Sequence, residues 1–248
     1  LPWQWPLLLA SLLALVAALM IFKLGVGPHL PATAKSGRPW AGLAAFKQPR
    51  FRAAALGYFG HCWELYALWA LVPFLVAREL ERLGASNSAQ PWLSFAVIAL
   101  GLPGCVLAGK FSRRIGSDRV ACVALATSGA LCLVYPLLGS ASPWLLLTLL
   151  GVWGVSVIAD SAQFSALASA TAPPERLGAA LAMMNAIGFG LTIPSIALVT
   201  ALWSSQSLAV IWWLLPGPIL GLLAMHGFSS HQSSHQHPAK TARPNNPT

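Results

Sequence analysis

The sequence predicts an all-α integral membrane protein, and three observations carry that prediction. Hydrophobic residues make up 56% of the 248 residues and charged ones only 8%, against about a quarter charged in ordinary soluble domains. Mean hydropathy is +0.67. The apolar residues are gathered in long runs free of Lys, Arg, Asp and Glu, and about 20 such residues suffice for a helix to cross the hydrocarbon core of a bilayer. A closed barrel, the other spanning solution, would show short alternating strands instead.

Seven helices follow, at roughly 3–24, 52–77, 91–111, 119–139, 143–168, 177–202 and 206–227. The first is Leu- and Ala-rich. It lacks the initiating Met, the basic flank and the small-residue cleavage pattern of a secretory leader, so it is predicted to be a membrane helix. The second is apolar except for His61 and Glu64 near its middle. Pro91, Pro143 and Pro174 suit first-turn positions, where a missing amide costs nothing, and Ser142 suits the cap of the fifth helix. Gly101, Pro103 and Gly104 in the third helix, with Gly188, Gly190 and Pro194 in the sixth, mark flexible or closely packed segments. Trp40, Trp92, Trp144 and Trp203 fall near helix ends as interfacial anchors, whereas Trp63 and Trp69 lie deeper, lining a cavity or facing lipid.

Charge placement sets the orientation. Thirteen of the fifteen Lys and Arg fall on one side: Lys23, Lys35, Arg38, Lys47, Arg50 and Arg52 after the first helix, Lys110, Arg113, Arg114 and Arg119 after the third, Arg176 after the fifth, and Lys240 and Arg243 in the tail. The other side holds Arg78 and Arg82 beside Glu79 and Glu81. Such a bias marks the basic side as cytoplasmic. It also accounts for the net charge of +9 without nucleic acid, for which no aromatic recognition motif is present. Cys62, Cys105, Cys122 and Cys132 lie inside apolar helices without paired spacing and read as buried free thiols. The last twenty residues, SSHQSSHQHPAKTARPNNPT, are polar and Pro-rich and are expected to be disordered. No zinc spacing, phosphate loop or dinucleotide fingerprint occurs, so no metal or cofactor is expected.

The loop GKFSRRIGSDR, residues 109–119, joins the third and fourth helices on the basic side. It resembles the GxLxDRxGRR loop of the major facilitator superfamily. Gly109, Arg114, Gly116 and Arg119 match, Phe111 stands at the large apolar position, Arg113 replaces the family's Asp, and Asp118 falls among its basic residues. The stretches IADSAQFSALASATAPPER and LGAALAMMNAIGFGLTIPS, with the second helix's HCWELYALW, resemble the tenth, eleventh and seventh helices of a bacterial subgroup. The resemblance covers about residues 1–228 and implies a twelve-helix transporter represented by its sixth helix (1–24), a cytoplasmic linker (25–51), a C-terminal six-helix half (52–228) and a cytoplasmic tail (229–248). On that implication a missing N-terminal six-helix half completes the protein, in a bacterial inner membrane. Seven helices without an initiating Met are expected to be a fragment or the product of a gene broken upstream. Physically, the loop glycines allow a tight turn and close helix approach, and its arginines can hold helix carbonyls or a carboxylate.

In GYFGHCWELYALWAL, residues 57–71, His61 and Glu64 stand at i and i+3 on the face that also carries Gly57, Gly60 and Leu68. They are expected to touch. Ionisable groups at mid-membrane depth are costly and face a cavity or a partner. One reading makes the pair a proton-coupling or solute-binding site, to which Asn185 adds an amide; the other makes Glu64 a hydrogen bond between helices, and Asn185 likewise. Asp160 is expected near the cytoplasmic end, ion-paired with Arg113 or Arg114 as a latch that opens during transport, with Gln163 one turn on in the same cluster.

The function implied is secondary transport of a small solute by alternating access, coupled to protons, within the lipid bilayer. A seven-helix membrane sensor is the alternative. A membrane enzyme is disfavoured, since no nucleophile or metal constellation is visible.

Overall fold

The computed structural model describes residues 2, 4–24 and 39–235. Residues 25–38 of the expected linker, with Lys35 and Arg38, and residues 236–248 of the tail, with Lys240 and Arg243, lie outside the described residues. The chain divides into two compact units, Leu1–Ser36 and Gly37–Thr248. The first contains helix α1 (Gln4–Leu24), apolar around its whole circumference, with Lys23 in its last turn. Its 21 residues reach about 31 Å, enough to cross a bilayer.

The second unit is helical wherever it is regular: α2 (Pro49–Arg82), α3 (Gln90–Ala99), α4 (Gly101–Ile115), α5 (Ser117–Leu137), α6 (Pro143–Ala159), α7 (Ser161–Thr171), α8 (Leu177–Gln206) and α9 (Pro216–His235), with short 3-10 segments between some of them. Among the described residues, six apolar helical stretches are long enough to cross a membrane. The last, Pro174–Phe228, is 55 residues long. At about 1.5 Å per residue it far exceeds a bilayer's thickness, and it is interrupted at Ser207, whose φ of 49° ends α8. The seven expected helices are therefore present, with two of them continuous in hydropathy and divided by backbone geometry.

Several boundaries differ from expectation. Helix α2 runs on to Arg82 because Arg-Glu-Leu-Glu-Arg is good helix-forming sequence, and it closes where Gly84 takes φ 64° and Ala85 N donates to Leu80 O. The third expected helix breaks at Leu100, since Pro103 offers no amide to the carbonyl of Ala99. The fifth breaks at Asp160. Ser142 stands at the cap position of α6, but only its backbone carbonyl takes part, accepting from Leu146 N at 3.1 Å. Helix α9 continues through His235, into the stretch expected as tail. A 3-10 helix, Pro39–Lys47, lies within the expected linker and packs on the start of α8: Ala45 is fully buried, and a Cβ on Gly42 would meet Ala179 O at 2.1 Å.

Two apolar cores hold the bundle. One gathers Leu68, Leu71, Leu75, Tyr135, Leu150 and Trp153 toward the Arg78 end of α2, and the other gathers Phe51, Tyr58, Leu125, Phe164, Met184 and Phe228 toward the Arg50 end. In lipid the apolar effect does not press helices together, so close van der Waals approach carries more of the packing. Helices α2 and α9 meet at glycine: a Cβ on Gly60 would lie 2.3 Å from Gly217 O, and one on Gly217 would lie 2.4 Å from Gly60 O. Helix α6 meets α3 the same way, with Gly154 against Val97 O. Gly60→Val is therefore expected to lower stability by about 3 kcal/mol or more, read as a fall in the melting temperature and in monodisperse yield in detergent. Gly178→Ala, where a Cβ meets nothing within 4 Å, should leave both unchanged.

Candidate functional site

Polar side chains collect where α2, α5 and the α6–α7 junction meet. Glu64 is almost completely buried, and its Oε1 accepts from the Ser128 hydroxyl of α5, from Trp153 Nε1 of α6 at 2.9 Å, and from the Cys132 thiol of α5 at 3.3 Å. Trp153 Nε1 also reaches Ser128 Oγ at 3.0 Å. Three helices are thus tied at one oxygen. An unsatisfied carboxyl in this setting would be costly; here its partners are all uncharged donors.

His61, one turn before Glu64, does not pair with it. Its Nδ1 lies 2.8 Å from Asp160 Oδ1, and both side chains are buried. Neither atom makes a directed hydrogen bond, so the pair is held by distance without alignment. The ring lies between Tyr58, 6.0 Å away and stacked, and Phe164, 6.4 Å away. Asp160 occupies the break between α6 and α7. The geometry replaces both expected contacts, His61 with Glu64 and Asp160 with Arg113 or Arg114. An i,i+3 pair can turn apart when each member finds a nearer partner on another helix. Asp160 is also farther from the end of its helical stretch than expected, because α7 continues for 11 residues beyond it, about 16 Å. Arg113 and Arg114 sit in the last turn of α4, on its exposed side. Gln163 is buried one turn after Asp160, and no hydrogen bond joins the two among the described residues.

The loop residues divide by role. Gly116 takes φ 96° between α4 and α5, a conformation that suits glycine, and a Cβ there would lie 2.6 Å from Asp118 Oδ1. Gly109 faces open space, so close helix approach is not its role. Arg119 is exposed at the start of α5. Asn185 is exposed on α8.

Sequence reasoning missed Ser128, Trp153 and Glu79. Glu79 is fully buried at the far end of α2, held by Arg78 and by Arg82 Nη1, 2.6 Å from its Oε2. The same arginines donate to the connection between α5 and α6, Arg78 to Gly139 O at 2.8 Å and Arg82 to Ala141 O at 2.6 Å. The sequence signal was available, since an acid flanked at i−1 and i+3 by arginines can be neutralised inside a continuing helix.

The family model of the Major Facilitator Superfamily matches residues 1–195, which take in α1, the polar cluster and α8 through Pro194. The chain belongs to this superfamily. No curated protein and no solved structure matches it. Membership makes the chain part of a multi-pass membrane transporter family, and the helical bundle agrees with it.

If Oε1 of Glu64 couples the three helices, Glu64→Gln and Trp153→Phe will each cost about 1–3 kcal/mol, and the double variant will cost less than their sum. Thermal unfolding in detergent across that double-mutant cycle is the measurement, and strict additivity would sever the link.

Proposed function

We propose that this superfamily member is the C-terminal part of a proton-coupled secondary transporter, moving a small solute by alternating access against an N-terminal half, with its basic ends on the cytoplasmic side of a bacterial inner membrane. The observation that supports it best is the buried His61–Asp160 pair, 2.8 Å apart, which joins α2 to the break between α6 and α7. A carboxyl and an imidazole within contact distance can pass a proton between them, and a change of charge there acts on a helix that is already discontinuous. Broken helices near mid-membrane are where transporters place ion and solute sites. In this reading Asp160 and His61 carry the proton, Glu64 serves as the fixed tie between helices, and Asn185 meets solute. Arg113, Arg114 and Gln163 keep no gating contact with Asp160; Gly116 shapes the loop beside Asp118 and Arg119.

Proteoliposomes carrying the chain together with its N-terminal half, under an imposed proton gradient and screened with labelled sugars, amino acids and nucleosides, test this reading. Uptake should require the gradient. Asp160→Asn should abolish that requirement or uptake itself, while Glu64→Gln should retain gradient dependence with reduced folded protein. Gradient-dependent uptake that survives Asp160→Asn and His61→Gln together would remove the pair from the mechanism.

A further inference from the structure

The seam between α2 and α8 carries a set of aromatic rings that packing alone does not use up. Tyr66 and Trp69 of α2 stand edge to face at 5.4 Å, and Tyr66 meets Phe189 of α8 at 5.8 Å. Tyr66 and Trp69 are only half-buried and Phe189 is 50% exposed. One turn from Phe189, on the same face of α8, Asn185 is exposed, and its amide makes no hydrogen bond among the described residues. An unpaired amide two turns inside a membrane-crossing helix is expensive against lipid tails. That cost argues that this face of α8 meets water or a polar group instead.

The charges of the bundle lie elsewhere. Glu64 and Asp160 are buried inward, Glu79 is neutralised by two arginines, and Glu81, Asp118 and Glu175 lie at the helix ends. The basic residues of the described bundle are likewise at the ends of α2, α4, α5, α8 and the 3-10 helix before α2. No counter-charge therefore faces the seam from the described residues. Trp63, on the neighbouring turn, has its Nε1 committed to Trp213 O at 2.9 Å.

From this juxtaposition we infer that Tyr66, Trp69, Phe189 and Asn185 form a recognition site for an uncharged planar heteroaromatic solute. The rings would stack or abut on the solute's faces, and the Asn185 amide, one donor and one acceptor side by side, would meet a donor–acceptor edge of the kind nucleobases and cyclic amides carry. Sugars offer no π face. Aromatic acids bring a charge that this seam leaves unpaired. The inference rests on the transporter reading for its biological meaning, yet it concerns binding at equilibrium and needs no gradient.

The test is equilibrium binding to the 248-residue chain in lipid nanodiscs, with radiolabelled uracil and adenine as probes and glucose and benzoate as comparators. At least one of the two nucleobases should bind, with neither comparator doing so at the same concentration. Asn185→Ala and Trp69→Leu should each weaken binding by about tenfold, the scale of one lost stacking or edge contact, and Trp69→Phe should recover most of it. Melting temperatures of Asn185→Ala and Trp69→Phe, measured alongside, should match the unaltered chain, which separates recognition from folding. Binding of neither nucleobase, equal binding of glucose or benzoate, or indifference to both substitutions would overturn the inference. Nucleobase binding with this mutational pattern, accompanied by gradient-independent uptake, would uphold the site and reject proton coupling.

Discussion

Everything at the centre of this bundle depends on one oxygen. Oε1 of Glu64 draws a hydroxyl and a thiol from α5 and an indole N–H from α6, so three helices meet at a fixed depth and rotation. In water such bonds exchange freely with solvent and contribute little net energy. In a bilayer no solvent is at hand, and a polar atom that loses its partner has no second choice. The tie thereby sets the register of α2 against α5 and α6. His61, a turn earlier on α2, is carried toward the end of α6, where Asp160 stands 2.8 Å away.

The two broken helices belong to the same arrangement. The breaks at Leu100 and Asp160 lie on neighbouring elements, and the contact between them is made through glycine: a Cβ on Gly101 would strike Ile158, and one on Gly104 would strike Val155 O. A break frees backbone groups that a continuous helix would satisfy. The Cys105 thiol approaches Ile158 O at 3.7 Å, a weak partner for a carbonyl next to the break. Close backbone contact on one side and the buried His61–Asp160 contact on the other leave the α6–α7 junction packed but not locked by strong directional bonds.

Much of the fold was legible because lipid imposes a simple rule. Length and apolarity locate helices, but Gly101, Pro103 and Gly104 were read only as a flexible or closely packed stretch of one helix, which the backbone divides into α3 and α4. The division of the apolar run from residue 177 to 228 was expected between residues 202 and 206, and the backbone makes it a little later, at Ser207, where φ turns positive. The site was half legible. Its acids and its histidine stood out against apolar surroundings, but spacing on one helix reveals neighbours on that helix alone. The partners of Glu64 lie 64, 68 and 89 residues away in sequence, and Trp153 sits in a run of other large apolar residues with nothing to set it apart. Glu79 was misread because charged residues near a helix end look like a loop, whereas two arginines let the helix carry its acid inside.

Acids on α2 and at the α6–α7 junction can now be compared by what a proton would disturb. Protonating Glu79 would strand two guanidinium groups that also hold the Gly139–Ala141 connection. Glu64 already spends one oxygen on three donors, so any rotation to meet a proton carrier breaks bonds to two other helices at once. The His61–Asp160 pair is committed less heavily: Nδ1 and Oδ1 are 2.8 Å apart and buried without a well-aligned bond, and among the described residues the imidazole otherwise bonds only to the Val157 backbone. Rearranging it sacrifices the fewest contacts, and it sits where the helix is already interrupted. In the proposed proton-coupled mechanism, energetic cost, more than the identity of the acid, therefore favours Asp160 with His61 as the mobile element and Glu64 and Glu79 as the fixed ones.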